Sequence, residues 1–182
     1  MNLVLNYEKC QFMVQQSIVL GHVVSTKRIE VDKEKVDLIT HLPYPTNIRE
    51  IHSFLSHAGF YRQFIKDFSR IAQPLSKLLL KHVSFDFDNN CLRVFNKLNE
   101  LLTSSPIIQP LNWKIHFQIM FGVNEYVIGI VLGQSICRKS HVICYLSKTL
   151  NLVQCNYSTN KKQLLAIVFA LDNFQSYLLG FK

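Results

Sequence analysis

Arg62, Lys66 and Arg70 recur at intervals of four residues, the spacing that stacks side chains on one face of a helix. Three cations in such a row can touch successive phosphates, a contact indifferent to sequence and sensitive to salt. The same spacing also describes a plain solvated stripe. Other chemistries are harder to assemble. The five cysteines (Cys10, Cys91, Cys137, Cys144 and Cys155) are widely spaced and never form a Cys-x-x-Cys pair. That pattern argues against a zinc site or a disulfide framework and suits a reducing intracellular compartment, cytoplasm or nucleus. The seven histidines show no ligand spacing, and His52 and His57, five apart, fall on different helix faces. The chain has no Gly-rich phosphate loop and no nucleophile motif.

The bulk composition narrows the class. The 182 residues suffice for one or two small domains, and 48% are apolar and 12% aromatic, which excludes a disordered chain. A net charge of +8 suits a polyanionic partner such as nucleic acid, or a surface simply biased to lysine. Met1 is followed by no basic n-region and no long apolar core, so no signal peptide is expected. The longest apolar stretches, such as 127–132, are too short to span a bilayer, so no membrane contact is expected.

The elements that must position any site read as follows. Residues 10–31 are extended: Cys10 to Val14 and Ser17 to Val24 read as strands with Gln15-Gln16 between them, and a reversal at Ser25–Arg28 precedes Ile29. Asp32 caps a helix carrying Val36, Ile39 and Leu42, which Pro43 and Pro45 end. Asn47 and Glu50 have capping-box spacing and open a helix with Ile48, Ile51, Phe54, Leu55 and Ala58 in one stripe. A helix after Pro74 carries Leu75, Leu78 and Leu79. Another starts at Asn89 or Asn90, holds Leu92, Phe95, Leu98, Leu101 and Leu102, and stops at Ser104-Ser105-Pro106. After Pro110 the period changes: 116–121, 126–133 and 141–146 read as three strands, followed by a helix over about 158–178. Phe54, Phe60, Tyr61, Phe64 and Phe68 read as helix-packing core rather than base-stacking platforms.

The run from Ser53 to Leu75 resembles the segment joining polymerase to ribonuclease H in gypsy-type LTR retrotransposon Pol polyproteins, whose pattern is F-L-G-x-x-x-Y/F-Y-R-x-F-I-x-x-F-S-x-I-A-x-P-L. Ser56 stands where the family has Gly. The resemblance extends along the chain, through Leu5-Asn-Tyr-Glu-Lys-Cys-Gln-Phe, Leu20-Gly-His, Phe85-Asp-Phe-Asp, Ile107-Ile-Gln-Pro and Asn156-Tyr-Ser-Thr. It implies an α+β fold in three parts: C-terminal palm hairpins of reverse transcriptase over 1–31, a helical thumb or connection over 32–82, and an RNase H-like domain over 83–182. The last part is expected to hold three strands and a helix, the first half of that α/β domain.

The resemblance also implies which groups should do chemistry, and two are replaced. Family ribonuclease H sites hold two magnesium ions on about four carboxylates. The first-strand Asp aligns with Gly122 of Phe117-Gln-Ile-Met-Phe-Gly-Val-Asn, and the helix Glu aligns with Gln163 of Lys161-Lys-Gln-Leu-Leu-Ala. Glycine offers no ligand and a glutamine amide only a weak, neutral one. Glu125 reads as a turn residue, and Asp172, nine residues past Gln163, falls on the opposite helix face. No catalytic residue, no metal ligand and no cofactor is therefore expected, the ancestral Mg2+ site being lost. The family's polymerase aspartates align before Met1, so neither RNA-directed DNA synthesis nor RNA–DNA hybrid cleavage is expected to survive. Losing clustered acids need not unfold the domain, since they repel one another without metal. The expected partners are RNA–DNA hybrid or other nucleic acid, bound weakly and non-specifically by Arg62, Lys66 and Arg70. Gly21 and His22 read as backbone geometry first and primer contact second. Lys161 and Lys162 replace a partly acidic family segment. The apolar edge at Phe117–Phe121, lacking a next strand, is expected to favour self-association.

Overall fold

The computed structural model describes residues 13–19, 21–25, 28–81, 83–104, 111–136 and 138–178. The fold is mixed, with two three-stranded antiparallel sheets and helices between and after them.

The first sheet is a meander of β1 (Gln16–Val19), β2 (His22–Ser25) and β3 (Ile29–Val31). The stretch Ser17 to Val24, read from sequence as one strand, is two. It folds back at Gly21, whose φ of 74° lies in the left-handed region that a residue without Cβ enters at little cost. Gln15-Gln16 makes no turn of its own, because Gln16 already pairs with Ser25. Residues 10–12 of the predicted first strand lie outside the described residues.

Helix α1 (Lys33–Thr40) is capped by Asp32, whose carboxylate accepts from the Glu34 N–H at 3.2 Å. It ends before Leu42. Helix α2 (Ile48–Phe60) opens on Asn47, whose Oδ1 accepts from the Glu50 N–H at 3.0 Å. Glu50 completes only half of the predicted box, because its carboxylate takes the Thr46 N–H at 2.6 Å and the Thr46 hydroxyl at 3.0 Å. A single 3-10 turn, Arg62–Phe64, follows, then the short helices α3 (Phe68–Ile71) and α4 (Gln73–Lys77). Helix α5 (Asn89–Thr103) starts from the Asp88 cap, which accepts from the Cys91 N–H at 2.7 Å.

Ile51, Phe54, Ala58, Tyr61, Phe64, Leu75, Phe95, Leu98 and Leu102 form one buried cluster. Phe54 and Phe95 meet with ring centroids 4.3 Å apart. The expected aromatic core therefore holds for Phe54, Tyr61, Phe64 and Phe68, whereas Phe60 is half-exposed. By packing, α5 joins this cluster rather than the second sheet.

The second sheet, β4 (Phe117–Val123), β5 (Val127–Ile136) and β6 (Lys139–Thr149), is ordered 4-5-6. It is followed by a turn of helix not foreseen from sequence, α6 (Leu152–Cys155), with a full capping box on Asn151, and by α7 (Thr159–Leu178). Ile128, Ile130, Leu132, Cys144 and Leu146 pack against Ala166, Ala170 and Phe174 of α7. Three strands and a long helix thus stand where the change of period put them.

Candidate functional site

The register of the second sheet decides which side of it each residue serves. Directly opposed residues in an antiparallel ladder share a face. Ile130 and Ile128 face α7, and so do their partners Phe121, Val123, Leu146 and Lys148. Lys148 Nζ accordingly sits 4.8 Å over the Phe169 ring. Gly122, Gly129 and Ser147 are opposed to one another and occupy the other face.

That second face meets the segment 66–70. Ser69 and Ser147 bond three times: the Ser69 N–H donates to Ser147 Oγ (2.9 Å), the Ser69 hydroxyl to the Ser147 carbonyl (2.9 Å), and the Ser147 hydroxyl to Ser69 Oγ (3.0 Å). Asp67, itself left-handed at φ 58°, lays its carboxylate over Gly129. A Cβ built on Gly129 would lie 3.2 Å from Asp67 Oδ1, close enough that the acid would have to shift by a few tenths of an ångström. Gly122 has open space at the same position.

Between the two walls lies a cleft of about 370 Å³, lined by Lys66, Asp67, Arg70, Gly122, Asn124 and Tyr145, among others. Asp67 holds Arg70 at 3.0 Å in a pair open to water, which leaves the cation accessible. Lys66 is exposed. The cleft presents two cations and one acid among uncharged residues such as Met120, Gly122, Asn124 and Tyr145, an arrangement that can receive an anion.

The predicted basic stripe is not one helix face. Arg62 belongs to the 3-10 turn, Ile65 is extended, Asp67 is left-handed and Arg70 belongs to α3. The backbone breaks twice between Arg62 and Arg70, so helical periodicity does not carry across. The cleft brings together Lys66, Arg70 and Gly122, and Arg62 is exposed outside its lining.

Gly21 and His22 are held as parts of the packing. The Gly21 carbonyl accepts from the Tyr61 hydroxyl at 3.2 Å and from the Asp32 N–H at 3.3 Å. His22 stacks on Phe64 at 5.5 Å and meets Phe60 at 5.2 Å; its Nε2 accepts from the Gln63 amide at 3.1 Å. Burial, and the nearby Asp32 carboxylate second, push the Tyr61 hydroxyl above its ordinary range.

Gln163 is exposed on α7, the helix on the opposite face of the sheet from Gly122. Its neighbour Lys162 is buried at 8% exposure and donates from Nζ to the Glu125 carbonyl at 3.2 Å. It thereby ties α7 to the β4–β5 turn, where Glu125 stands exposed as expected. Among the described residues no group of three His, Cys, Asp or Glu could hold a metal ion. Burial raises the Cys144 thiol to about 12 and, with help from Asp88, the Cys91 thiol to about 11, so neither is a nucleophile at neutral pH.

One organising residue gave no signal in the sequence. Gln134, only 2% exposed, donates to the carbonyls of Asn112 (2.7 Å) and Ile115 (2.8 Å) and accepts from the Asn112 N–H at 3.1 Å. It fastens the approach to β4.

The model of the RNase H-like domain found in reverse transcriptase matches residues 87–182. The chain belongs to that family. Curated relatives of this RNase H-like chain are retrovirus-related Pol polyproteins of Drosophila melanogaster. It is 34% identical to that of transposon opus, 36% to that of transposon 297 and 33% to that of transposon gypsy, each over 98% of the chain. It spans 19%, 17% and 18% of their respective lengths. The fold is also that of foamy viral protease-reverse transcriptase. The structure in complex with RNA/DNA hybrid superposes with a TM-score of 0.79 at 17% identity, over 92% of this chain and 23% of that one. The complex with dsDNA gives 0.78 at 18%, over 92% and 35%. The gypsy-type resemblance read from Ser53–Leu75 is thus correct. No described helix is long and apolar enough to cross a membrane.

Proposed function

We propose that this chain is a catalytically inactive, reverse-transcriptase-derived unit that binds nucleic acid through the phosphate backbone. Residues 1–31 correspond in this reading to palm hairpins, 32–82 to thumb or connection, and 83–182 to the RNase H-like part. The observation that carries it is the cleft beside Gly122: where the family pattern has an acid there is open space, and Lys66 and Arg70 border it. A net charge of +8 supplies the long-range attraction. The structural neighbours bound to RNA/DNA hybrid and dsDNA are consistent with such a ligand. Gly122 and Gln163 bring no negative charge, and the amide of Gln163 is a poor ligand for a hard dication. Magnesium chemistry thus has no carboxylate at either position.

Fluorescence anisotropy of a labelled RNA–DNA hybrid, titrated with protein in the presence of Mg2+ at two salt concentrations, tests this. The expected result is binding that weakens steeply with salt and leaves the RNA intact. Cleavage by a preparation free of contaminating nuclease would overturn the inactivity. Folded protein that does not bind would overturn the ligand. A second reading rests on β4, an outer strand among the described residues with Met120 and Phe121 half-exposed. It is protein pairing along that edge.

A further inference from the structure

Asp67 stands at the cap position of α3 and does not cap it. A capping side chain needs extended backbone, whereas Asp67 is left-handed at φ 58°. Its carbonyl starts the helix instead, accepting from the Arg70 N–H at 2.9 Å and the Ile71 N–H at 3.0 Å. Ser69, bonded to Ser147, fixes the same segment to the sheet. The backbone is thus held without the Asp67 carboxylate, which lies over Gly129 in the cleft. Among the described residues, its hydrogen-bond partner is Arg70 alone. The Arg70 and Asp67 side chains are 60% and 30% exposed, so the pair is open to water and easily broken.

We propose that Asp67 is an internal competitor in this cleft: its carboxylate occupies Arg70 until a phosphate displaces it, and it thereby sets which anions the cleft accepts. The inference rests on the phosphate-binding reading above and adds the residue that gives it selectivity. A monovalent anion that reaches Arg70 gains one contact and displaces an equivalent one, an even exchange. A chain of phosphates also meets Lys66, so it gains a contact that no acid of the cleft already makes. Asp67 takes only one N–H of a guanidinium that can offer two parallel bonds to a phosphate. The cleft therefore favours polyanions over chloride or a lone carboxylate. If Asp67 served instead to aim Arg70 at the ligand, its removal would have the opposite sign.

Anisotropy of the labelled RNA–DNA hybrid, with an NMR titration of the Arg70 Nε–H resonance by inorganic pyrophosphate, tests the proposal. Asn also tolerates the left-handed region, so Asp67→Asn keeps the backbone, and an unchanged thermal melt verifies it. This variant should bind hybrid and pyrophosphate about two- to fivefold more tightly, the range that a pair open to water can supply. Chloride should compete with pyrophosphate more strongly in the variant than in the unaltered chain. Asp172→Asn makes the same change of charge at an exposed position of α7, on the other face of the sheet, and should do less. With Arg70→Ala already present, the gain in hybrid affinity from Asp67→Asn should shrink. Weaker binding by Asp67→Asn overturns the proposal. So does a gain undiminished by Arg70→Ala or matched by Asp172→Asn, which would be plain charge repulsion. Equal competition by chloride in both proteins overturns the selectivity. A chain that takes pyrophosphate with this dependence on Asp67 but takes no hybrid would overturn the nucleic-acid reading alone. A chain that takes neither overturns both.

Discussion

In the helical region, α2 and α5 each bury one stripe and turn another kind of residue outward. Ile51, Phe54 and Ala58 lie inside while Arg49, Glu50, His52 and Ser53 face water; Phe95, Leu98 and Leu102 lie inside while Arg93, Asn96, Lys97 and Glu100 face water. In the sheet region, α7 buries Ala166, Ala170 and Phe174 and still exposes Leu164, Ile167, Val168 and Leu171. The sheet's other face opens on the cationic cleft at Gly122. The contrast separates stability from interaction. The helical region closes one core around Ile51, Phe54, Phe95 and Leu98, although Leu38, Ile48 and Phe60 stay exposed. The sheet region keeps apolar surface on α7, and its other face meets the cations Lys66 and Arg70 supplied by the helical segment.

The largest effect that could break this comparison is in the helical core. Phe54, 1% exposed and stacked on Phe95, should cost about 3–5 kcal/mol when changed to Ala, whereas Leu164→Ala should stay within about 0.5 kcal/mol. Denaturant unfolding of both variants measures the difference. Similar losses would mean that α7's outer face is already covered within the chain.

A smaller loss is expected in the sheet region. Gln134→Leu leaves the Asn112 N–H and two carbonyls without their buried partner and should cost about 1–3 kcal/mol. Hydrogen exchange of the Asn112 amide should quicken in the same variant.

The cleft gives a binding prediction with little change in stability. Lys66→Ala with Arg70→Ala should reduce the salt slope of hybrid binding by about two, one for each phosphate contact. Gly122→Asp, which sets a carboxylate beside both cations, should weaken binding in the same assay. Unchanged slopes would place the nucleic acid elsewhere on this basic chain.

The smallest effect is a pH dependence in the helical region. Hydrogen bonds from the Thr46 backbone and hydroxyl lower the Glu50 pKa from 4.5, and the Cys91 N–H lowers that of Asp88 from 3.8. A carboxyl whose folded pKa is depressed stabilises the fold fully above its ordinary pKa. That contribution fades as pH falls through the folded value. The urea midpoint should therefore drop below about pH 4.5, and less so in Glu50→Gln. Both groups are at the surface, so added salt should flatten the slope.

How much of this could be read from the chain differs between its two levels. Helix α1 starts after Asp32, α2 after Asn47, and β4, β5 and β6 lie where apolar runs replace helical spacing, because caps and periodicity are local properties. The left-handed Asp67 is also a local event, but nothing in a Lys-Asp-Phe sequence announces it. It broke the inferred row of Arg62, Lys66 and Arg70. The burial of Lys162 was not legible either, because it depends on a carbonyl of the β4–β5 turn being brought to its Nζ.

By itself the sequence determined the family, the main helices and the three strands of the second sheet, the basic balance and the absence of acids at Gly122 and Gln163. Each is a matter of residue identity and near-neighbour spacing. Only the tertiary structure decided that Gly122, Lys66 and Arg70 share one cleft, that Ser69 joins Ser147 across 78 positions, and that one face of α7 is left exposed. Those facts depend on strand register and on which surfaces meet. A one-residue shift of β4 against β5 would turn Gly122 to the other side of the sheet.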